Sequence, residues 1–496
     1  MRHLAVRFGS AMCLLLAGCG HQDSASADRA RSESIDRLAQ SILAKRGVPG
    51  IAIAVLRDGK VFDRVTRGSA DLATHRLVSS ATPFQLASTT KIFSSAGVLL
   101  LVADGKVKLD DPIGKYLDGL PASWRPVTVR QLLSHTSGLP DITRKTGELD
   151  LVASDWDGAL AAVADQPFQF HPGQGWSYTQ TNYALLQRLI ERVSGKPFED
   201  FLQVRLFRPL GMSNTFFPGP QRHCAVNYEA NRQGRPVERE LSFPRYVHAA
   251  GGLCSSLDDL VAWSRALDSG KVIPRGLVEQ AQAPVRLADG SAASITGPIS
   301  YGLGWAIDTT PGHRWAGHSG GNSSAFRQYL DDRLTVIVLH NGTSDPDAIA
   351  ASVARSMLDA SGAGAAQADL WDAAANGDLA SLQAALRAGA DVNALDTRSS
   401  RNGRYALNWA AIDDHADAVA FLVKHGAAID AQNLTGFTAL HHAAESGSTA
   451  AARALLADGA NRSLRNSAGE TAADVARRNG HAELAALIEA APARVR

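Results

Sequence analysis

The stretch Phe84–Val107, FQLASTTKIFSSAGVLLLVADGKV, decides how the rest of the chain is read. From Ile92 to Ala103 nearly every residue is apolar or small, so a helix here would have no polar face and would be buried on all sides. Asp104-Gly105 supplies its stop. Just ahead of the run stand Ser88 and Lys91, three residues apart and therefore on one face of the helix start. A lysine desolvated there, close to the positive end of the helix dipole, loses preference for its charged form and becomes a base near neutral pH. A serine alone is a weak nucleophile and requires such a base, and the same helix start offers backbone N–H groups to the oxyanion of acyl transfer. A Ser-x-x-Lys match is expected by composition about once or twice in a chain of this length. A capping serine followed by a solvated lysine fits the same letters, so the surrounding sequence decides.

With 496 residues the chain exceeds what one core supports, since cores stop growing near ~250–300 residues, and two or three units are expected. Its 50 basic and 49 acidic residues leave a net charge of +1, which provides no broad field for nucleic acid or anionic lipid. The opening MRHLAVRFGSAMCLLLAGCG has basic residues, a short apolar run and small residues around a cysteine, the layout of a secretion signal too short to span a bilayer. Leu16–Cys19, LAGC, resembles a bacterial lipoprotein box. That resemblance implies a signal peptide over 1–19, lipidation of Cys19 as first mature residue, and an envelope anchor, with Gly20 favouring the outer membrane facing the periplasm. Residues 20–34 read as a flexible polar tether. Cys224 and Cys254 either pair in an oxidising compartment or are both buried small apolar residues.

The first domain is expected over 35–360. It opens with a strand, an Asp58-Gly59 turn and a second strand, continues through helical segments from Thr89 to Leu210, and returns to β structure at Arg333–Asn341, RLTVIVLHN. One sheet closed by both ends of the domain, with a helical region beside it, gives an α/β or α+β class. A linker over 361–367 follows. Beyond it, Gly-Ala pairs at Gly389, Gly426 and Gly459 lie 37 and 33 residues apart, and Thr438 and Thr471 lie 33 apart. That period, with TALHHAA at Thr438–Ala444, is the ankyrin signature, so residues 368–490 resemble three to four repeats of an all-α solenoid. Adjacent His441 and His442 are assigned to the repeat, whose motif demands a loop-bonding histidine at 441, and not to a metal site.

Several stretches match one family in order: STTK around Ser88, LLSHTSGLP at Leu132–Pro140, FHPGQGWSYTQTNYALLQRLIERVSGKPF, AAGGLCSSLDDLVAW at Ala249–Trp263, YGLGW at Tyr301–Trp305 and GHSGGNSS at Gly317–Ser324. The chain resembles the serine β-lactamase and penicillin-recognising superfamily, in its class C branch with esterase and D-amino-acid peptidase relatives. The resemblance implies a penicillin-binding-like domain with a mixed central sheet. It also implies that Ser88 is acylated, that Lys91 activates it, and that Tyr178 acts as acid and base on the leaving group and on water. A phenol titrates near ~10, so phenolate character would require adjacent cations, Lys91 or His318. His318-Ser319-Gly320 matches the strand that closes the site, with the N–H groups of Ser88 and Gly321 as the oxyanion hole. Gln180, Ser319 and Gly320 are the expected substrate-binding residues. Gln180 replaces the family's usual Asn, and Asn182 is set aside because of its spacing. His318 in place of lysine weakens any hold on a substrate carboxylate, because its charge depends on pH.

Two decoys are rejected. Lys145–Gly147 spells KTG but lies in polar sequence before Tyr178, where the family order places it afterwards. GHSGG fits a Gly-x-Ser-x-Gly elbow, yet a polar stretch and then a strand follow where a helix is required. The expected function is an exported serine hydrolase that acylates Ser88 with an ester, amide or β-lactam, without metal or cofactor, on a small-molecule or peptidoglycan-like substrate. The ankyrin repeats are expected to hold a protein partner, the membrane is met only through the lipid, and nucleic acid is not a partner. A D-alanyl-D-alanine peptidase, a true β-lactamase, or an inactive penicillin-binding-like receptor are the alternatives.

Overall fold

A computed structural model describes residues 17–44, 48–143, 155–231, 235–296, 299–309, 313–321, 323–358, 363–396 and 403–491. The signal segment before Ala17 and the KTG of Lys145–Gly147 lie outside the described residues. Nine strands form one sheet: β1 (Gly50–Arg57), β2 (Lys60–Asp71), β3 (Arg76–Leu77), β4 (Ser294–Thr296), β5 (Ile299–Tyr301), β6 (Ala306–Asp308), β7 (Trp315–Gly320), β8 (Ser324–Tyr329) and β9 (Leu334–His340). Their spatial order is β3-β2-β1-β9-β8-β7-β6-β5-β4. The sheet was expected to be mixed, but every described pairing in it is antiparallel. The reason is topological. Neighbours in space are mostly neighbours in sequence, and the long excursion after β3 carries the chain from one edge of the sheet to the other.

β1 and β9 meet in the middle, Ile51 opposite His340 through Arg57 opposite Leu334. The Asp58-Gly59 turn has positive φ at both residues, 52° and 71°, as a tight hairpin requires. β1 and β9 are mostly apolar because both of their faces are covered. Ile51, Ile53 and Val55 pack with Trp315, Val336 and Val338 on one side, against helices α1 (Ala17–Ala44) and, later in the chain, Pro346–Leu358. Ala52, Ala54, Ile337 and Leu339 face the helical region, which holds α2 (Thr90–Ala103) and α3 (Gln180–Ser194).

The tether expected over 20–34 is helical, since α1 runs through it to Ala44. The segment has no Pro or interior Gly after Gly20, carries i,i+3 and i,i+4 pairs such as Asp28–Arg31 and Arg29–Glu33, and leads into a stripe, Ile35, Ala39 and Ile42, that is buried on the sheet. Likewise the expected linker runs into a helix that begins at Ala363. We number Pro346–Leu358 α4. The repeats then follow as four helix pairs: α5 (Ala363–Asn376) with α6 (Leu379–Arg387), α7 (Ala406–Ile412) with α8 (Ala416–Lys424), α9 (Ala439–Ser446) with α10 (Thr449–Ala457), and α11 (Ala472–Arg478) with α12 (Ala482–Ala490). The periodic glycines end the outer helices at positive φ, 93° at Gly389 and 92° at Gly426. His441 spans two repeats, Nδ1 to Thr438 Oγ1 at 2.9 Å and Nε2 to the Glu470 carbonyl at 3.1 Å, which accounts for it structurally.

Because Ile42 is 3% exposed against the sheet, Ile42→Ala should destabilise the first domain by about 2–4 kcal/mol in denaturant unfolding. A change below ~0.5 kcal/mol would mean that α1 does not pack there in solution.

Candidate active site

Ser88 lies in a 3-10 turn, Ala87–Thr89, that runs into α2, and Lys91 is the second residue of that helix. The preceding Ala87 has φ +44°, a left-handed conformation that costs a non-glycine residue about 1–2 kcal/mol and tips the Ser88 turn out of the β bridge behind it. That bridge pairs Phe84 with Ser255 and Gln85 with Cys254, and Leu86 N–H donates to the Leu253 carbonyl at 2.8 Å. Cys254 is joined to Cys224 by a disulfide, which settles the alternatives left open by the sequence. The 249–254 segment is thereby tied down next to the helix start.

Lys91 is 0% exposed. Its Nζ donates to the Ala250 carbonyl at 2.7 Å, to Gln180 Oε1 at 2.9 Å and towards Ser88 Oγ at 3.4 Å. Burial brings its pKa down from the ordinary 10.5 to about 7, with the charge of Asp141 opposing part of the fall. The nitrogen lies 4.7 Å from the Tyr178 ring centroid and 5.2 Å from that of Tyr183. Tyr178 comes from the segment just before α3. Its buried hydroxyl makes no well-formed hydrogen bond, although Ser88 is near enough to offset part of the upward pKa shift caused by burial. It is therefore a neutral phenol, not the phenolate that adjacent cations would have produced.

The strand that closes the site is stitched to the Ser88 turn. Thr89 Oγ1 donates to the His318 carbonyl at 3.2 Å, Ser324 Oγ to the Leu86 carbonyl at 2.7 Å and Ser323 Oγ to the Gln85 carbonyl at 3.0 Å. At Gly320 a Cβ would stand 1.8 Å from the Leu86 carbonyl oxygen, so only glycine allows this approach. Gly321, φ +51°, follows beside Ala87, the residue before Ser88. His318 is buried, and burial followed by the charge on Lys91 pulls its pKa to about 4, so it is neutral and supplies no cation.

Ser88, Lys91, Tyr178, His318 and the Gly320-Gly321 turn are thus brought together. Two expected substrate contacts have partners within the protein. The Gln180 amide oxygen accepts from Lys91 Nζ. Ser319 faces the opposite side of the sheet from His318, by the alternation of a strand, and its hydroxyl bonds towards Asp347, which pairs with Arg327 at 2.6 Å. Asn182, set aside from its spacing, accepts from Ser137 at 2.7 Å and meets His135 Nδ1 at 3.0 Å.

Sequence reasoning passed over the aromatic lining. His135, with φ +59°, stacks its ring 4.4 Å from that of Tyr178 and 5.1 Å from that of Tyr301, and Trp176 lies 5.8 Å from Tyr301. LLSHTSGLP and YGLGW contained two of these residues as landmarks, but nothing in their spacing pointed to the site. The Ala250 carbonyl was likewise invisible, being a backbone atom. Among the described residues no group of His, Cys, Asp and Glu could hold a metal ion.

Helix, strand and facing loop converge on one serine, which defines a serine hydrolase of penicillin-binding-like α/β fold. Residues 35–358 match the Beta-lactamase family, and the chain belongs to it. Residues 370–466 and 429–493 match ankyrin repeats. The chain is 31% identical over 317 residues to a penicillin-binding protein of Bacillus subtilis, covering 58% of this chain and 67% of that one. It is 32% identical over 314 residues to a D-aminopeptidase of Brucella anthropi, covering 60% of this chain and 57% of that one, so it spans little more than half of that relative. Among solved structures, the octameric penicillin-binding protein homologue of Pyrococcus abyssi superposes with TM-score 0.58 at 27% identity, over 66% of this chain and 77% of that one. A D-amino acid amidase of Ochrobactrum anthropi, complexed with D-phenylalanine, superposes with TM-score 0.53 at 26% identity, over 63% and 91%.

Two outcomes follow from this geometry. Asp141 raises the Lys91 pKa, so Asp141→Asn should move the acid limb of kcat/KM, which rises as Lys91 loses its proton near pH 7, to lower pH; a limb that stays in place would remove Lys91 as its origin. Gly320→Ala should lower kcat about 100-fold or more by pushing β7 off the Ser88 turn, with the ankyrin unfolding transition unchanged.

Proposed function

We propose that the chain is an acyl-enzyme hydrolase in which Ser88 attacks the carbonyl of an ester or amide, with compounds of D-amino acids as the favoured substrates. The observation that carries this reading is the buried Lys91 amine, with a pKa near 7, beside Ser88 Oγ at 3.4 Å. Unprotonated Lys91 accepts the Ser88 proton as Oγ adds to the carbonyl carbon, and the backbone N–H groups of Ser88 and Gly321 take the developing oxyanion. The buried phenol of Tyr178 donates its proton to the leaving nitrogen or oxygen as the tetrahedral intermediate collapses to the acyl-enzyme. Water then gives a proton to the Tyr178 phenolate as it attacks the ester carbonyl, and the ammonium of Lys91 returns its proton to the departing Ser88 oxygen. Ser88 leaves with a proton, and the acid is released. The D-aminopeptidase and D-amino acid amidase relatives support D-residue amides over β-lactams. So does the lack of a cation at His318 for a β-lactam carboxylate.

In the same reading the protein is exported and anchored in the bacterial envelope through Cys19, and the repeats hold a protein partner. The Cys224–Cys254 disulfide supports an oxidising compartment. A fluorophosphonate probe should label the wild type and fail on Ser88→Ala, and a wild type that stays unlabelled would favour an inactive receptor. In a panel of penicillin, nitrocefin, p-nitrophenyl esters and D-alanine amides, the D-alanine amide should exceed nitrocefin in kcat/KM by about 100-fold or more, a gap that differential transition-state binding alone can supply.

A further inference from the structure

Tyr301 ends β5, two strands from β7, and its side chain is 1% exposed. Its hydroxyl lies 2.9 Å from His318 Nε2, while His318 Nδ1 lies 2.7 Å from the Ser319 carbonyl oxygen. A carbonyl only accepts, so Nδ1 carries the proton, Nε2 presents a lone pair, and Tyr301 donates to it. Both ring nitrogens are therefore occupied before any substrate arrives. The charged and titratable groups around the ring are Lys91 of α2, His135 and Tyr178 of the facing loops, and Asp347 of α4. Lys91 is already held by Ala250 and Gln180, and Asp347 by Arg327.

We propose that Tyr301 is a specificity-determining residue: by donating to His318 Nε2 it ties up the one imidazole nitrogen that could be protonated and then donate to an anion, so the site selects substrates whose leaving group carries no carboxylate. This rests on reading Ser88 as the nucleophile. A carboxylate pushed against His318 would have to displace the buried Tyr301 hydroxyl from Nε2 and leave it with Tyr183 alone, and loss of a buried hydrogen bond is costly. An ester or amide capped at that position meets no such demand. Tyr301→Phe keeps the ring and removes the donor. The Ser319 carbonyl still holds the Nδ1 proton, so the freed Nε2 lone pair takes up a second proton more readily and the imidazolium can donate to an anion.

The test is a matched pair of esters with one acetyl group and two leaving groups, 4-acetoxybenzoate and its methyl ester. The wild type should prefer the methyl ester in kcat/KM by about tenfold or more, and Tyr301→Phe should narrow that ratio about tenfold, since one lost buried hydrogen bond accounts for a factor of this size. Selectivity is a ratio, so a general loss of rate does not mimic the effect. Histidine-selective 15N NMR on the full-length protein should place the His318 proton on Nδ1 in both proteins, with Nε2 losing its hydrogen bond and becoming protonated at higher pH in Tyr301→Phe than in the wild type. An unchanged ratio, or a His318 spectrum insensitive to the substitution, overturns the proposal. Should neither ester be cleaved and no probe label Ser88, the hydrolase reading itself fails and the selectivity claim with it, while the NMR signal still reports whether Tyr301 holds the ring.

Discussion

The architecture turns on one amine kept away from water. Lys91 is buried by the same apolar helix that positions Ser88, and its ammonium form is left with a backbone carbonyl, an amide oxygen and a weakly engaged hydroxyl. Those acceptors are enough to orient the nitrogen. They are not enough to replace bulk hydration, so the proton is held loosely. Each neighbouring feature either serves that balance or is served by it. Ser94 anchors the Ala249 carbonyl at 2.7 Å, the disulfide fixes Cys254 four residues beyond Ala250, and Gln180 reaches across from the start of α3. A fully exposed lysine would be charged and a fully isolated one would be neutral but aimless. The site occupies the ground between these.

The sheet does two jobs with one strand. On its inner face β7 presents His318 towards the serine, and on its outer face Ser319 leans towards Asp347 at the head of α4, itself paired with Arg327. Farther along α4, Ser352 and Arg355 pair with Asp372 of the first repeat helix. One rigid helix thus touches the backing of the catalytic strand at one end and the ankyrin stack at the other.

Much of this was legible from local chemistry. The unbroken apolar run after Lys91 required burial, Asp58-Gly59 could hardly be anything but a tight hairpin, and glycines at a 33-residue period required left-handed helix ends. The bond from Lys91 to the Gln180 amide oxygen was not legible, because a side chain's partner is set by how far its arm reaches in three dimensions. Ser319 was assigned to the pocket by motif, whereas strand alternation sends it to the far face. The α1 segment read as a tether because its first half has no apolar stripe. Its helicity comes from charge pairs and from continuity with Ile35–Ile42, which meet a sheet built from distant sequence. Tyr301 and the Ala250 carbonyl left no trace in spacing, for both act through contacts that only the fold creates.

The meeting of β1 with β9 has a temporal meaning. The strand at the centre of the sheet pairs residues near position 51 with residues near position 340, so the middle of the structure is assembled from the first and the last parts of the domain to be synthesised. Until His340 has emerged, Ile51, Ile53 and Val55 have no partner on that edge, and β7 and β8 have no sheet to join. Such long-range closure makes folding slow and nearly all-or-none. A growing or truncated chain therefore holds a serine and a lysine on a helix, but no Gly320-Gly321 turn beside the serine, no neutral imidazole and no hydrophobic shelter for the amine. The chemistry switches on with the last strand.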